Sequence, residues 1–485
     1  MTSSNDDTEK QKTTTNCCQP NECRYLHDLQ DFLRDVTKDA VSNNAKVGTG
    51  VAGGATSNDS GGGGELRSLI LTRNTTETYP VTETELDAEV ITHVWHRLQQ
   101  CPEHFRLGLA KLAEEEIGQE LKTPKVREEL AATKQCERDN VDVKQRPFDL
   151  AKLQKFITQY LEKIFLRLSD NSKEDILITY AECNRNAKGK SVPAIELPLY
   201  AAMLIKNKPR KMEDRHICLP RFGDMYELEN QYSFFGVFDG HSGSLAAVYA
   251  ANQIPFQIAK HLKIMNATSN QTETDYYREV LEASFIKADA NFVEKALGSG
   301  TTAVCALLKY NTNNIHHLYV AWVGDSRCLL VSPSVSLQLV KPHKPDSMDE
   351  RKRIESAETG GAVVIVQGHW RVNGIINVSR SIGDHSVKAV IAEPDFVDVP
   401  LQASHDFLIL GSDGLWDHVS ETEIVNCTYK ALLDTEQNFE DIPRHLIELA
   451  KQGDSQDNIT AILVLLKDRS NIIANYTKCC MGKPA

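Results

Sequence analysis

The chain is 485 residues long, which is too long for one ordinary domain and suggests roughly two to three. Its 41% hydrophobic and 25% charged residues are typical of a soluble globular protein, and the net charge of −13 argues against a nucleic-acid-binding protein, whose contact surface is basic. The longest apolar run, "ITAILVLL" at 459–466, is far shorter than the roughly 20 residues that a membrane span requires, so we expect none.

Residues 1–66 are predicted to form a disordered, Gly/Ser-rich tail. The stretch "VGTGVAGGATSNDSGGGG" at 47–64 has almost nothing to bury. Within the tail, residues 24–36 have the spacing of a short helix that docks on another surface. The polar N-terminus lacks the apolar core of a signal peptide, so we expect a cytoplasmic protein, with the nucleus as the alternative compartment.

Residues 67–194 are predicted to form a helical N-terminal extension. Apolar residues recur every four positions from 86 to 98, which makes a stripe along one helix face, and the segment 148–168 repeats the pattern. The expected structure is a small helical domain or an extension packed on its neighbour. A helix that binds calmodulin or another protein partner is the alternative.

From 195 to 467, short apolar strands mix with helices. The predicted strands are 232–239, 302–310, 317–324, 327–332, 362–367, 406–411 and 459–467. The predicted helices are 244–262, 276–297, 347–358, 420–434 and 442–452. Strands often follow one another directly, which predicts an α+β fold with antiparallel sheets and helices grouped outside them. Residues 468–485 are predicted to be a flexible C-terminal tail.

Three of these strands end in an aspartate that has a glycine beside it. The strands are "FFGVFDG", "YVAWVGDSR" and "DFLILGSDGLWD", and their acids are Asp239, Asp325 and Asp413; a fourth acid, Asp457, stands at the entrance of a strand. One such acid is usually solvated or caps the next helix. Four of them in one pocket would repel each other unless cations neutralised them. Oxygen ligands suit Mg²⁺ or Mn²⁺, so the pattern predicts a metal centre built from remote strand ends.

The residues next to these acids are compatible with such a centre. Gly240 has no side chain, so its carbonyl can approach a metal, and Gly414 permits backbone angles that are closed to other residues. His241 would lie beside the metals, where a general acid is useful. A lone histidine is more often structural, but the nearby Asp239 favours the catalytic interpretation.

Seven motifs then identify a resemblance to a known family. In chain order they are "RKMEDRH", "VFDGHSG", "GSGTTAVCAL", "VAWVGDSR", "WRVNGIINVSRSIGD", "GSDGLWD" and "DNITAILV". The region 195–467 resembles the metal-dependent protein serine/threonine phosphatases (PPM, type 2C). "KMEDRH", "PHKP" and "WRVNG" look most like the calmodulin-dependent-kinase phosphatase branch, whose members also carry a long N-terminal extension.

This resemblance implies a fold and a metal site. The fold is a sandwich of two antiparallel β-sheets flanked by helix pairs (αββα), with two Mg²⁺ or Mn²⁺ ions per catalytic domain at one end and a weaker third ion. Asp239 would bridge two metals, the Gly240 carbonyl would ligate one, and Asp413 and Asp457 would hold the other. Asp325 is similar to the acid that helps hold the third.

The resemblance also implies roles around the metals. Glu213 and Asp214 would bond metal-bound waters, and His241 would protonate the leaving oxygen. Three further residues would shape or support the site: Thr302, Asp417 and Asn458.

One position departs from the family's pattern. The family's phosphate-gripping arginine stands four residues before the glutamate of the "MED" motif, and here that place holds Pro209. A guanidinium grips phosphate bidentately and a proline cannot. Arg210 is the expected substitute, with Lys208 as the alternative. The departure bears on substrate binding more than on metal binding.

The predicted function is hydrolysis of phosphoserine or phosphothreonine on proteins, by attack of a hydroxide that bridges the two metals. The resemblance to the calmodulin-dependent-kinase phosphatase branch implies kinases as substrates, possible targets being regulatory sites of calmodulin-dependent or related kinases, and no residue singles one out. A cysteine-nucleophile phosphatase is one alternative, but the C-x5-R pattern from Cys18 to Arg24 lies in the predicted tail without a glycine-rich cradle. The other alternative is a catalytically weak phosphoprotein-binding scaffold on the same fold, which Pro209 supports and the complete set of acids opposes.

Overall fold

The computed structural model describes residues 28–37, 78–132, 146–170, 197–265, 271–311 and 314–481. In the N-terminal part these form five helices and one short strand pair. The elements are α1 (28–37), β1 (Pro80–Val81), α2 (Leu86–Arg97), α3 (Glu103–Glu120), α4 (Pro124–Leu130), β2 (Phe148–Asp149) and α5 (Leu150–Asp170). The region predicted as a helical extension is therefore helical over most of its described residues.

The strands of the C-terminal part are mostly short and apolar. They are β3 (Tyr200–Ile205), β4 (Arg215–Leu219), β5 (Tyr232–Phe238), β6 (Gly240–His241), β7 (Gly300–Thr301), β8 (Ala303–Asn311), β9 (Asn314–Val323), β10 (Arg327–Val331), β11 (Ser336–Gln338), β12 (Val363–Val366), β13 (His369–Val372), β14 (Ile382–Gly383), β15 (Asp395–Pro400), β16 (Phe407–Gly411) and β17 (Ile459–Leu465).

The helices of this part lie between and after the strands. They are α6 (Phe222–Met225), α7 (Leu245–Ile264), α8 (Glu273–Val293), α9 (Met348–Ile354), α10 (Asp413–Trp416), α11 (Glu421–Leu433), a 3₁₀ turn (Phe439–Asp441), α12 (Ile442–Gln452) and α13 (Arg469–Met481). In the described part of the chain, no helix is both long and apolar enough to cross a membrane.

Two five-stranded antiparallel sheets form the centre of the molecule. One has the order β11-β10-β16-β17-β3 and the other β15-β9-β8-β5-β4. Alternate residues of both sheets, among them Phe235, Val320, Leu408 and Ile462, meet in one buried core between them. The predicted α+β sandwich is confirmed.

Helices cover both outer faces of this sandwich. On the first sheet, α11 and α12 bury Ile424 and Leu446 against Ile409 and Leu463. On the second sheet, α7 and α8 share a core with Phe234. The αββα arrangement that the resemblance implied is therefore present.

Two helices lie inside the segments predicted as tails. The helical spacing at 24–36 corresponds to α1 (28–37), whose Leu29 and Leu33 are buried in the core that the extension shares with α7 and α8, so this part of the tail docks as that spacing indicates. The helix α13 differs from the prediction of a flexible C-terminal tail. In the predicted tail 468–485, α13 buries Ile472, and the ring of Tyr476 lies 4.4 Å from that of Tyr429. Apolar residues spaced four apart provide the docking face in each case.

A buried polar network joins the N-terminal extension to the β-sandwich part of the chain. The Glu85 carboxylate accepts hydrogen bonds from Lys295 Nζ at 2.6 Å and from Tyr249 Oη at 2.6 Å. Glu89, one turn further along α2, accepts from three donors: Asn252 Nδ2 at 2.6 Å, Tyr79 Oη at 2.9 Å and Gln253 Nε2 at 3.1 Å. Because buried polar groups are costly unless paired, this network fixes how α2 sits on α7.

Candidate active site

Strand register brings the predicted acids to one end of the sandwich. In the second sheet, Arg215 pairs with Phe238, so Asp214 and Asp239 leave neighbouring strands side by side. In the same sheet, Ala303 pairs with Val323, which places Asp325 just beyond that end of β9.

The first sheet delivers two more acids in the same way. Gly411 pairs with Ala461, so Asp413 follows the end of β16 beside the start of β17, where Asp457 stands. The acids of the two sheets meet, because Asp214, Asp413, Asp325 and Asp457 all raise the pKa of Asp239. Residues up to 243 positions apart in sequence thus share one acidic cleft.

The carboxylates of the acidic cleft are buried close together and oppose one another's ionisation. Burial, followed by the neighbouring carboxylates, holds the pKa of Asp239 well above its usual range. Burial, then Asp325 and Asp457, raises the pKa of Asp413 to about 8. Burial raises the pKa of Asp214 to about 6, although Thr460 Oγ1 donates a 2.6 Å hydrogen bond to it. A bound cation would favour the ionised forms of all three acids.

The donor set of the cleft suits a hard divalent cation. Asp214 and Asp325 are buried, Asp239 and Asp413 are half-buried, and Asp457 is exposed, so oxygen atoms line both the base and the mouth of the cleft. Within the described ranges, no three His, Cys, Asp or Glu side chains are already arranged around one point as ligands. The residues present fit Mg²⁺ or Mn²⁺ by chemistry, since these ions prefer carboxylate and carbonyl oxygens.

Protein cations lie at one side of the cleft. Lys344 Nζ contacts the Asp325 carboxylate and lies 4.0 Å from Asp417 Oδ2. Arg327 Nη2 donates to Asp417 Oδ1 at 2.9 Å. Asp417, predicted as site support, is exposed and pairs with these two cations. Its carboxylate also raises the pKa of Asp413.

Two glycines permit the close approach of chain segments at the cleft. A Cβ at Gly240 would lie 2.5 Å from the Glu213 carbonyl oxygen, and one at Gly414 would lie 2.0 Å from the Asn458 carbonyl oxygen. The sequence interpretation of Gly414 was wrong, because its φ is not positive. It is close packing against the backbone, and not an unusual backbone angle, that requires glycine there.

Thr302 and Asn458 hold the backbone around the acids. Thr302 N donates to the Asp239 carbonyl at 2.9 Å, and Thr302 Oγ1 accepts from Asp239 N at 3.3 Å. Asn458 Oδ1 accepts from the backbone N of Glu213 at 2.7 Å and of Asp214 at 3.4 Å. These side chains tie together segments that carry acids from both sheets. The Glu213 side chain is half-buried at the same end.

His241 is held by an acid that the sequence analysis missed. Its Nε2 lies 2.6 Å from Oδ2 of Asp384, which also accepts from Ser381 Oγ. The two-residue strands β6 and β7 pair so that His241 lies opposite Gly300. A Cβ at Gly300 would lie 2.4 Å from His241 Nε2, so a larger residue at 300 would displace the imidazole. Asp384 is the last residue of the quoted "SRSIGD" motif, so a signal was present, but the motif alone does not reveal its partner.

The predicted phosphate-binding residues lie in the loop between β3 and β4. Arg210 and Lys208 are exposed, and Pro209 is half-buried. Asn458 Nδ2 donates to the carbonyls of Lys206 and Lys211, which anchors both ends of this loop beside the cleft. Among the described contacts, none joins Arg210 to the acids, so its role stays a prediction.

Comparison with known proteins identifies the family. A model of the family described as "Protein phosphatase 2C" matches residues 200–459, more than half of the chain. The chain belongs to the protein phosphatase 2C family. The matched region contains nearly all of the sandwich and every predicted site residue, so the family resemblance found in the sequence is confirmed. The branch within the family stays a prediction.

Two relatives are similar to a little over half of this chain. "Protein phosphatase 1E" of Mus musculus is 38% identical over 276 residues, which are 56% of this chain and 35% of that protein. "Protein phosphatase 1F" of Homo sapiens is 37% identical over 276 residues, which are 56% of this chain and 57% of that protein. The matches thus span about a third to somewhat over half of the length of these relatives.

A solved structure shares the fold beyond the family region. The structure of a C. elegans sex determining protein aligns with a TM-score of 0.65 and 20% sequence identity, and it covers 85% of this chain and 94% of that one. Residues 200–459 make up a little over half of the chain, whereas the structural alignment covers 85% of it. The likeness in fold therefore includes part of the N-terminal extension.

Proposed function

We propose that the chain is a Mg²⁺- or Mn²⁺-dependent phosphatase that hydrolyses phosphoserine and phosphothreonine on proteins. The observation that carries this proposal is the convergence of five acids at one end of the sandwich, where four of them oppose the ionisation of Asp239; the five are Asp214, Asp239, Asp325, Asp413 and Asp457. Such a cluster is unfavourable unless it binds cations. Membership of the protein phosphatase 2C family supports the same conclusion.

The metal-binding roles follow the resemblance. Asp239, the Gly240 carbonyl, Asp413 and Asp457 would hold two ions, and Asp325 would contribute to a weaker third. When bound, these ions supply a water activated near neutral pH and Lewis-acid stabilisation of phosphoryl oxygens. Glu213 and Asp214 would orient water at the edge of the cluster.

His241 and Asp384 supply the proton transfer. His241 faces Asp384 through Nε2 at 2.6 Å, which leaves Nδ1 for the substrate. From there the imidazolium donates a proton to the departing seryl or threonyl oxygen, so the leaving group departs as a neutral alcohol. Asp384 is a positioning residue: its carboxylate contacts Nε2 and fixes the orientation of the ring.

The phosphate group of the substrate needs cationic contacts besides the metals. Arg210 and Lys208 lie in the anchored β3–β4 loop and are exposed. We assign the phosphate contact to Arg210, because a guanidinium binds two phosphate oxygens at once. Replacement of Arg210 by alanine should raise KM and leave the affinity for Mn²⁺ unchanged. An unchanged KM would transfer the role to Lys208.

The proposal is tested by hydrolysis of p-nitrophenyl phosphate. Turnover should require Mn²⁺ or Mg²⁺, stop with EDTA, and be lost in Asp239→Asn. Asp349→Asn, which removes an exposed carboxylate outside the cleft, is the matched control and should keep full activity. Activity that survives EDTA would contradict the proposal. Absence of turnover with every metal, together with retained binding of a phosphoprotein, would favour the scaffold alternative that Pro209 suggests.

A further inference from the structure

Asp289, near the C-terminal end of α8, contacts the chain segment that carries Asp384. Its Oδ1 accepts a hydrogen bond from the backbone N of Gly383 at 2.7 Å and lies 2.9 Å from Nε2 of His385. These two partners flank Asp384 in the chain, and the Asp384 carboxylate lies 2.6 Å from Nε2 of His241. One side chain of α8 therefore holds the chain on both sides of the acid that contacts the proposed general acid.

The turn at 383–384 has a backbone conformation that needs such contacts. Gly383 and Asp384 have φ values of +91° and +54°. A positive φ at a non-glycine residue is uncommon and is kept by the surrounding contacts. The amide of Asp384 makes a long hydrogen bond, 3.4 Å to the Ser299 carbonyl. Of the two amide contacts at 383 and 384, the one to Asp289 is the shorter.

Helix α8 is a rigid platform for this contact. Ala288 and Phe292, on either side of Asp289 in the helix, are fully buried in the core that α7 and α8 share. The Phe292 ring lies 5.1 Å from that of Tyr249 in α7 and 6.2 Å from that of His385. A side chain on a packed helix is placed more precisely than one on a loop. The core of the protein thus fixes the position of Asp289.

The three-stranded sheet β14-β7-β6 joins this turn to His241. Gly383 pairs with Gly300, and Gly300 pairs with His241. A Cβ at Gly300 would clash with both Oδ2 of Asp384 and Nε2 of His241, so the two side chains meet over this glycine. Because the space there is so small, a shift of the turn would move the Asp384 carboxylate relative to the imidazole.

We propose that Asp289 is a positioning residue for the proton transfer from His241. By holding the amide of Gly383, it keeps the Asp384 carboxylate on Nε2 of the imidazole and so keeps Nδ1 directed at the leaving oxygen of the substrate. This inference rests on the proposed function, since it takes His241 as the general acid. Asp289 lies outside the seven motifs that carry the family resemblance.

The first test compares two substrates that differ in the need of their leaving group for a proton. The alkoxide that departs from a phosphothreonine peptide needs one, whereas nitrophenolate departs from p-nitrophenyl phosphate as a stable anion. With Mn²⁺ present, Asp289→Ala should lower the ratio of kcat on the peptide to kcat on p-nitrophenyl phosphate about tenfold, with KM for the peptide near wild type. Both substrates are measured on the same preparation, so any unfolded fraction of the protein cancels in the ratio.

Two matched variants complete this comparison. Asp289→Asn keeps an oxygen that can accept from the amide of Gly383, so it should restore most of the ratio. Glu282→Ala removes an exposed carboxylate of the same helix and should keep the wild-type ratio. An unchanged ratio in Asp289→Ala, or an equal fall of kcat on both substrates, overturns the proposal.

The second test follows the imidazole without turnover. The ¹H–¹³C resonances of the His241 ring are assigned with His241→Gln and recorded on the full chain with Mg²⁺. Asp384→Asn should shift them, because it removes the charge beside the ring, and Asp289→Ala should shift them in the same direction. Resonances in Asp289→Ala that coincide with the wild type overturn the proposal. This measurement needs no hydrolysis, so a failure of the proposed function, seen as no wild-type turnover with any metal, is distinguished from a failure of this inference.

Discussion

Replacement of Lys295 by methionine tests the buried link between the extension and the catalytic region. The side chains of Lys295 and Glu85 are 2% and 3% exposed, and Nζ lies 2.6 Å from Oε2. Lys295 Nζ also donates to the Pro80 carbonyl at 2.8 Å. Burial alone would raise the pKa of Glu85, but hydrogen bonds from Lys295 and Tyr249 hold it below its usual value.

The expected loss in the free energy of unfolding follows from the unpaired Glu85 carboxylate that Lys295→Met leaves in the core. Without the ammonium group, the Glu85 carboxylate stays buried with its hydrogen bonds from Tyr249 and Thr82 only. Breaking a buried pair in this way costs about 3–5 kcal/mol, and the surviving hydrogen bonds place the expected loss near the lower figure, about 3 kcal/mol. Lys295→Met combined with Glu85→Gln should lose less than the sum of the two single changes, because neither variant residue is then charged.

The assay is urea denaturation followed by circular dichroism, which gives the free energy of unfolding for each variant. Lys341→Met is the matched control, because its partner Asp349 lies at 2.9 Å but both side chains are more than two-thirds exposed. That control should keep the wild-type free energy of unfolding within the error of the measurement, because solvent screens an exposed pair. A loss below about 1 kcal/mol for Lys295→Met would refute the reasoning, since the pair would then behave like a surface one.

Three further predictions concern other parts of the molecule. Asp384→Asn should lower kcat on a phosphothreonine peptide, whose alkoxide leaving group needs the proton from His241, by about 10²-fold and leave KM near wild type; an unchanged kcat would exclude the positioning role. Burial raises the pKa of Glu89 from 4.5 to about 7, so the stability that its bound proton contributes is present below pH 4.5 and lost as pH rises through 7. Glu89→Gln should therefore gain about 3 kcal/mol relative to wild type between those pH values, measured by unfolding at both, and a pH-independent difference would contradict this. Lys344→Met should tighten Mn²⁺ binding at Asp325, measured by electron paramagnetic resonance, because a competing cation is removed; unchanged or weaker binding would count against it.

The sequence predicted the strands that lie inside the sandwich and the acids at their ends. Central strands such as Tyr232–Phe238 and Ile459–Leu465 are buried throughout, so they read as continuous apolar runs. The edge strands Tyr200–Ile205 and Asp395–Pro400 were missed, because most of their residues are only half-buried and their composition is mixed. Arg215–Leu219 is the edge strand on the opposite side of the second sheet, and it was also missed. Its first two residues are polar, which shortens the apolar run that would predict a strand.

Long-range contacts could not be predicted from local patterns. His241 and Asp384 are 143 positions apart, and no spacing rule links them. The pocket lined by Thr92, Leu150, Leu204, Arg215 and Ser244 combines residues from distant parts of the chain, so no local sequence pattern predicts it. The C-terminal helix did have a signal, since Ile472 and Tyr476 are four residues apart, but one such spacing in a short segment is weak evidence for a helix.

The most direct measurement is the number of Mn²⁺ ions that the purified chain binds, determined by isothermal titration calorimetry in parallel with Asp239→Asn and Asp349→Asn. The acidic cleft should bind two ions in the wild type and in Asp349→Asn, and Asp239→Asn should lose this binding because the proposed site needs the Asp239 carboxylate for both ions. Equal binding in the wild type and Asp239→Asn, or no Mn²⁺ binding at all, would contradict a metal centre at Asp239, Asp413 and Asp457.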